Sequence, residues 1–264
     1  MAEAIDYKHI GSRPVRPDGV DKVTGRAEFG GDVSLPGMII GKILRSPHAH
    51  ARIKSIDITD ALAIPGVHAV ITGEDFPGGG ISGEIDGEGG GSISDQAKNV
   101  IARDKVLYHG HALAAVAAIS ERAADRALDA IKVEYEVLSP VLDILEAIDP
   151  DSVLVNENNY TKLPEKPDRP SNIANVGNLI RGDIQEGFGR ADVVIEREYV
   201  CPMTHQGYIE PHSCLASVDE EGKGTVWCST QVHYEFRNQT ASILKKNNDD
   251  LKFVAKEIGG GFGT

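Results

Sequence analysis

Two groups of residues in this chain could do chemistry. The first is Gly259-Gly260-Gly261-Phe262-Gly263-Thr264, which follows a stretch from Leu251 to Ile258 where apolar and charged residues alternate as in a half-buried strand. Glycine permits φ > 0 and carries no Cβ to keep a ligand off the backbone. Successive N–H groups in such a run can form a nest for anionic or polar oxygen atoms, although a tight turn without a ligand fits the same glycines. The run is not a Walker loop, because no Gly-Lys-Ser/Thr follows. It is not a dinucleotide fingerprint either, because Thr264 stands where the last glycine should be. The second group is His205, Glu210 and His212, with Gln231 in Ser229-Thr230-Gln231. A Glu–His pair can do acid–base work. With no nucleophile beside it, a hydrogen-bonded structural pair is equally good an account.

The elements around these groups must bring them together. Gly224 to Ser229 reads as a strand, and Gln231 falls just after it. Tyr234 to Lys246 reads as a helix with Phe236, Thr240, Ile243 and Leu244 on one face, and Asn247-Asn248-Asp249-Asp250 ends it. Leu251 to Ile258 is then the next strand. Strand, helix and strand put both strand ends at one edge of a sheet, where ligands often sit, so Gln231 is expected to face the glycine run. An amide that donates and accepts, set against a nest of N–H groups, suits a cofactor rich in oxo, sulfur and phosphate groups. Ser213 to Val218 reads as a further strand, joined to the Gly224 strand by the polar turn Asp219-Glu220-Glu221-Gly222. Val193 to Val200 reads as another, and Asp183 precedes a short helix ending near Phe188.

Further toward the N-terminus, residues 1–20 are polar, carry Pro14 and Pro17, and read as an extended arm. Strands are expected over Ile39 to Leu44, Ile53 to Ile58, Val67 to Thr72, Leu113 to Ile119 and Val133 to Val137. Thr59 or Asp60 is expected to cap a short helix over Ala61-Leu62-Ala63. Ser120 is expected to cap a longer one, in which Ala124, Ala127, Leu128 and Ile131 recur at helical spacing. Strand–helix–strand is a βαβ signature, with an antiparallel return left open. His48 and His50 share a side if the chain is extended, and without a third ligand they read as packing or hydrogen-bonding residues. Residues 78–92, with Gly78-Gly79-Gly80 and Gly89-Gly90-Gly91, read as a flexible loop that lacks the Asp spacing of a calcium loop. Residues 146–176, with Pro150, Pro164, Pro167 and Pro170, read as a linker.

Composition excludes several functions. The net charge of −13 over 264 residues argues against nucleic acid binding. No run approaches a membrane span, and the N-terminus resembles neither a signal nor a transit peptide. Cys201, Cys214 and Cys228 match no disulfide, zinc or iron–sulfur pattern. Each reads as a small buried apolar residue, in a reducing, cytoplasmic setting. The nine histidines form no His-x-x-x-His site.

In sequence order, two sets of motifs resemble the large subunit of the xanthine dehydrogenase/aldehyde oxidase family of molybdenum hydroxylases. Gly25-Arg26-Ala27-Glu28-Phe29, Pro36-Gly37-Met38, Arg45 to Ile53, Pro65-Gly66-Val67, Tyr108-His109-Gly110-His111 and Val133-Glu134-Tyr135-Glu136 resemble its a/b hammerhead domain. Ile209-Glu210-Pro211-His212, Ser229-Thr230-Gln231 and Gly259 to Gly263 resemble the start of its molybdopterin-binding domain. The resemblance implies an α+β fold, a hammerhead domain followed by the first part of a mixed α/β molybdopterin-binding domain. The expected divisions are an arm over 1–20, the hammerhead domain over 21–145, the linker over 146–176 and the molybdopterin-binding portion over 177–264.

The resemblance also implies a chemistry. Family members oxidise an aldehyde or an electron-poor (hetero)aromatic carbon with oxygen from water, on a molybdenum–pterin cofactor in its simple or cytosine dinucleotide form. By resemblance, Gln231 would hydrogen-bond an oxo ligand of the metal, and Gly260, Gly261, Phe262 and Gly263 would lie against the cofactor. Glu210 would face substrate, and no side chain of this chain would ligate the metal directly. The glutamate expected as general base belongs to a portion beyond the glycine loop, so no catalytic residue is expected here. The remainder of that subunit or a second molybdenum-binding chain, an iron–sulfur subunit and an FAD subunit are the expected partners, and the chain is expected to be one part of a larger assembly. The alternative is a catalytically silent assembly or scaffold piece.

Overall fold

The computed structural model describes residues 7–76, 84–85, 91–163, 165 and 167–263. The chain divides into two compact units, Met1–Pro36 with His205–Thr264, and Gly37–Thr204. The first unit opens with irregular, exposed chain from residue 7 and then helix α1 (Gly19–Thr24), which Gly25 closes at φ 74°. The arm expected over 1–20 therefore runs into a helix. A 3-10 turn at Gly30–Asp32 follows. The division also cuts across the boundary expected at residue 21, and the contacts give the reason. Lys22 pairs with Glu257 at 2.8 Å and Lys256 with Glu28 at 2.6 Å. The Glu257 N–H donates to the Glu28 carbonyl at 3.0 Å, and Phe29 bridges Glu257 in parallel.

The middle unit is built on β1 (Ile40–Arg45), β2 (Ala51–Asp57), α2 (Thr59–Leu62), β3 (Val67–Thr72), β4 (Glu84–Ile85), β5 (Gly91–Ser92), α3 (Ile93–Asn99), β6 (Lys105–Val106), β7 (Ala112–Ala118), α4 (Glu121–Ala130), β8 (Lys132–Val137), α5 (Ile144–Ile148) and α6 (Ile184–Gly189). One sheet runs β1-β7-β3 and a second β6-β2-β8, all antiparallel. The central strand β7 is covered on both sides, which is why its sequence is an unbroken apolar run. Ala114, Val116 and Ala118 pack under Ala124, Ala127 and Ile131, while Leu113 joins Ala51, Ala102 and Val106. Alanine on strand and helix alike lets the two backbones approach closely.

Several expectations are corrected here. Strands β7 and β8 lie in different sheets, so α4 links two sheets and no βαβ crossover forms. Helix α2 is capped by neither Thr59 nor Asp60. Instead the Asp57 carboxylate accepts the Thr59 N–H at 2.9 Å, which satisfies the first free donor from two residues earlier. Ser120 does cap α4, accepting from the Ala123 N–H at 3.3 Å. The stretch expected as a linker is irregular but fastened. The Asn172 side chain accepts from Val155 N–H and donates to the Val153 carbonyl, both at 2.9 Å, and Glu157 pairs with Lys105 at 2.9 Å. Of the glycine-rich loop over 78–92, β4 pairs with β5; residues 77–83 and 86–90, like Pro164 and Thr264, lie outside the described residues.

The strand expected over Val193 to Val200 does not form. Those residues are irregular and exposed, Tyr199 by 85%. An alternating sequence specifies a half-buried strand only where a neighbouring strand accepts its hydrogen bonds, and none does so among the described residues. Of the cysteines, only Cys228 is buried; Cys201 and Cys214 are exposed, and all three are free.

The first unit is completed by β9 (Cys214–Val218), β10 (Gly224–Cys228), α7 (His233–Ile243) and β11 (Leu251–Ala255). Strands β9 and β10 form a hairpin through the expected turn, where Gly222 takes φ 81°. Strands β10 and β11 are parallel with α7 between them in sequence, so here the strand–helix–strand reading holds. Among the described residues no helix is long and apolar enough to cross a membrane.

Candidate functional site

Parallel strands that finish in register place the loops after them side by side. Cys228 at the end of β10 stands opposite Ala255 at the end of β11, and the Lys256 N–H still donates to the Cys228 carbonyl at 2.9 Å. Ser229-Thr230-Gln231 and Ile258 to Gly263 therefore leave the sheet at the same edge, as the sequence predicts. A Cβ added at Gly261 would fall 2.6 Å from Gln231 Cδ, 2.8 Å from Nε2 and 2.9 Å from Oε1. Only glycine lets the Gln231 amide rest there. The loop itself is bent through left-handed backbone at Gly260 (φ 109°), Phe262 (φ 52°) and Gly263 (φ 93°). Phe262, 72% exposed, is a non-glycine residue in a region that side chains rarely adopt.

Glu210 lies under this loop. Its Oε2 accepts the Gly259 N–H at 2.6 Å, and its Oε1 accepts the Ser229 hydroxyl at 2.6 Å and the Gly30 N–H at 3.3 Å. Ser229 also accepts from Gly30 N–H at 3.0 Å. Its single proton goes either to Glu210 or to the Glu257 carbonyl at 2.8 Å. Burial alone would raise the Glu210 pKa. The donors at Ser229, Gly259 and Gly30, with His212 nearby, outweigh it and hold the carboxyl below its ordinary value.

The acid–base pairing of Glu210 with His205 or His212 does not form. The His205 Nδ1 accepts from the Gly207 N–H at 2.9 Å, and Tyr208 stacks on His212 with centroids 4.9 Å apart. Both oxygens of Glu210 are taken by donors of the chain itself. His48 and His50 are placed as packing residues: His48 meets Tyr135 edge-on at 4.8 Å, and the buried His50 bonds the Ser139 carbonyl through Nδ1 at 2.7 Å. Motif reading includes Ser229 and Gly259 without assigning them to Glu210, and it misses Gly30 as a residue of the site. Gly30 stands 180 positions from Glu210, and nothing local in Phe29-Gly30-Gly31 announces the contact.

An open hollow of about 570 Å³ reaches Gln231 and Gly261, with Val226, Phe236, Leu244 and Phe253 on its apolar side. Among the described residues no three His, Cys, Asp or Glu side chains converge on a metal position. What the edge offers a ligand is an uncharged amide and a backbone stripped of side chains. That is the chemistry a bulky group bringing its own ligands would need, and the open hollow beside Gln231, Gly260 and Gly261 leaves room for such a group.

Comparison with known proteins bears on the same residues. Residues 24–139 match the family described as aldehyde oxidase and xanthine dehydrogenase, a/b hammerhead domain, and residues 165–264 match the molybdopterin cofactor-binding domain. The chain is 34% identical over 258 residues to the nicotinate dehydrogenase large molybdopterin subunit of Eubacterium barkeri, covering 98% of this chain and 56% of that protein. It is 30% identical over 260 residues to the carbon monoxide dehydrogenase large chain of Afipia carboxidovorans, covering 97% and 31% respectively. Among solved structures, quinoline 2-oxidoreductase from Pseudomonas putida superposes with a TM-score of 0.76 at 26% identity, covering 98% of this chain and 32% of that one. The chain thus spans a third to about half the length of these relatives.

Proposed function

Because the chain belongs to the xanthine dehydrogenase/aldehyde oxidase family of molybdenum hydroxylases, we propose that it supplies one wall of the molybdenum-cofactor site in such an enzyme. The reaction is oxidation of an aldehyde or electron-poor (hetero)aromatic carbon with oxygen from water. The observation that carries this reading is the Gln231 amide resting on Gly261 at the shared end of two parallel strands.

When bound, a molybdenum–pterin group would supply the two-electron redox chemistry of the reaction. The chain's own residues bind and orient. Gln231 presents an amide that can donate to an oxygen ligand of the metal, and Gly260 to Gly263 let the group approach the backbone. Fixed dipoles of this kind assist a charge-developing step without having to reorganise. Glu210 keeps its proton off and holds the loop; we take it as a support of the site in place of a substrate contact. In this reading the general base and most pterin contacts come from the remainder of the molybdenum-binding subunit or from a second molybdenum-binding chain. Iron–sulfur and FAD subunits carry electrons away, and the assembly works in the cytoplasm. No observation favours the silent scaffold.

The test is Gln231→Ala in the assembled enzyme. Turnover should fall by about 10²-fold, as when a donor to a developing charge is removed, with the melting temperature little changed. Unchanged turnover would remove Gln231 from the site.

A further inference from the structure

We propose that Glu210 is a positioning residue: with Ser229 it clamps the glycine loop and the N-terminal segment together, and so sets where Gln231 and Gly261 meet. The clamp is read from the hydrogen bonds alone; what the loop faces rests on the molybdenum-site reading above.

Three donors converge on one carboxylate, the Gly259 N–H, the Gly30 N–H and the Ser229 hydroxyl. A carboxylate has only acceptors to offer them. A glutamine would turn an NH₂ toward at least one donor, and an aspartate is a methylene short. The anchor points are placed to matter. Ser229 lies two positions before Gln231, and Gly259 lies two positions before Gly261. One side chain thus ties the base of both partners in the contact.

The glycines at the anchor points are close-approach positions in their own right. A Cβ at Gly259 would fall 2.6 Å from Glu210 Cβ, and one at Gly30 would fall 2.8 Å from the Ser213 carbonyl oxygen and 3.2 Å from Ser229 Oγ. Beyond Gly259 the backbone passes through the left-handed region at Phe262, a conformation that persists only when neighbouring structure holds it. The N-terminal segment is held at the same point: Gly30 bonds both members of the clamp, and Lys22 and Glu28 pair with Glu257 and Lys256 beside it. Residues 19–32 thereby become part of the floor of the site.

The test uses the complete enzyme, with hydrogen exchange of peptides spanning 28–31 and 257–263, molybdenum content and the Mo(V) electron paramagnetic resonance signal as readouts. Glu210→Gln should speed exchange in both peptides by about tenfold or more, leave α4 unchanged, and shift the Mo(V) signal of whatever metal is retained. Loss of stability alone would not shift that signal. Ser229→Ala should give a smaller change in the same peptides. Exchange at 257–263 identical to wild type in Glu210→Gln overturns the clamp; if that variant fails to fold, identical exchange in Ser229→Ala does so. Faster exchange in the variant of a complex whose wild type contains no molybdenum supports the clamp and overturns the cofactor reading instead.

Discussion

Gln231 and Gly261 meet with no space for a side chain between them: a Cβ on Gly261 would stand 2.6 Å from Gln231 Cδ. The obstructing atoms belong to the far end of a flexible side chain, so Gly261→Ala is expected to displace the Gln231 amide and leave the fold standing. Molybdenum retention or turnover in the complete enzyme should fall, with a stability change under about 1 kcal/mol. A variant with full activity, or one that unfolds, would show that the contact is not the relevant one.

Gly259→Ala is expected to behave differently. There the nearest obstruction is the Glu210 Cβ at 2.6 Å, close to the backbone and unable to swing away. The strain of overpacking is about 1–3 kcal/mol, so denaturant unfolding should show a clear loss of stability. Comparing the two alanine variants separates a contact that serves the site from one that serves the fold.

Glu210 gives the first unit a pH dependence with a definite sign. Its carboxyl sits below its ordinary value of 4.5 because the gains from Ser229, Gly259 and Gly30 exceed the cost of burial. A depressed acid contributes stability that is complete above its unfolded pKa and is lost as pH falls through the folded one. Acid titration of stability should therefore show a loss below pH 4.5 that Glu210→Gln abolishes. An identical acid profile in the variant would contradict the assignment.

His111 makes the opposite kind of group. It is fully buried, its Nε2–H donates to the Asn99 carbonyl at 2.7 Å, and its Nδ1 accepts from the Leu107 N–H at 3.3 Å. The second bond needs the neutral ring, because a protonated Nδ1 cannot accept. Burial pushes the pKa below 6.5 and the Asn99 bond only partly offsets that. For a base depressed in the fold, the unfolded chain binds the proton first. Stability is then full above pH 6.5 and falls below it until the folded pKa is reached. His111→Ala should remove this dependence and cost about 3 kcal/mol through two lost bonds and a cavity, measured by urea unfolding on either side of that pH.

The legible parts of the fold were those whose signals are local. The alternation of Leu251 to Ile258, the run of β7, the Ser120 cap and the hairpin turn at Gly222 each state their element within a few residues. Gln231 and the glycine loop were legible because strand, helix and strand fix which loops share an edge. Glu210 was found as a polar residue but not as a clamp, since its partners Gly30 and Gly259 come from distant segments and are backbone groups, which carry no sequence signature. The βαβ reading of α4 failed because local pattern says what an element is and not which sheet it joins. Val193 to Val200 failed for a related reason: a strand is a property of a pair, and its alternation names only one member.

The most direct test of the central claim is metal and pterin analysis of the complete protein purified with its partners. The account predicts molybdenum and a pterin in near-stoichiometric amount, both reduced together by Gly261→Ala. A pure, folded complex containing neither molybdenum nor pterin would contradict it.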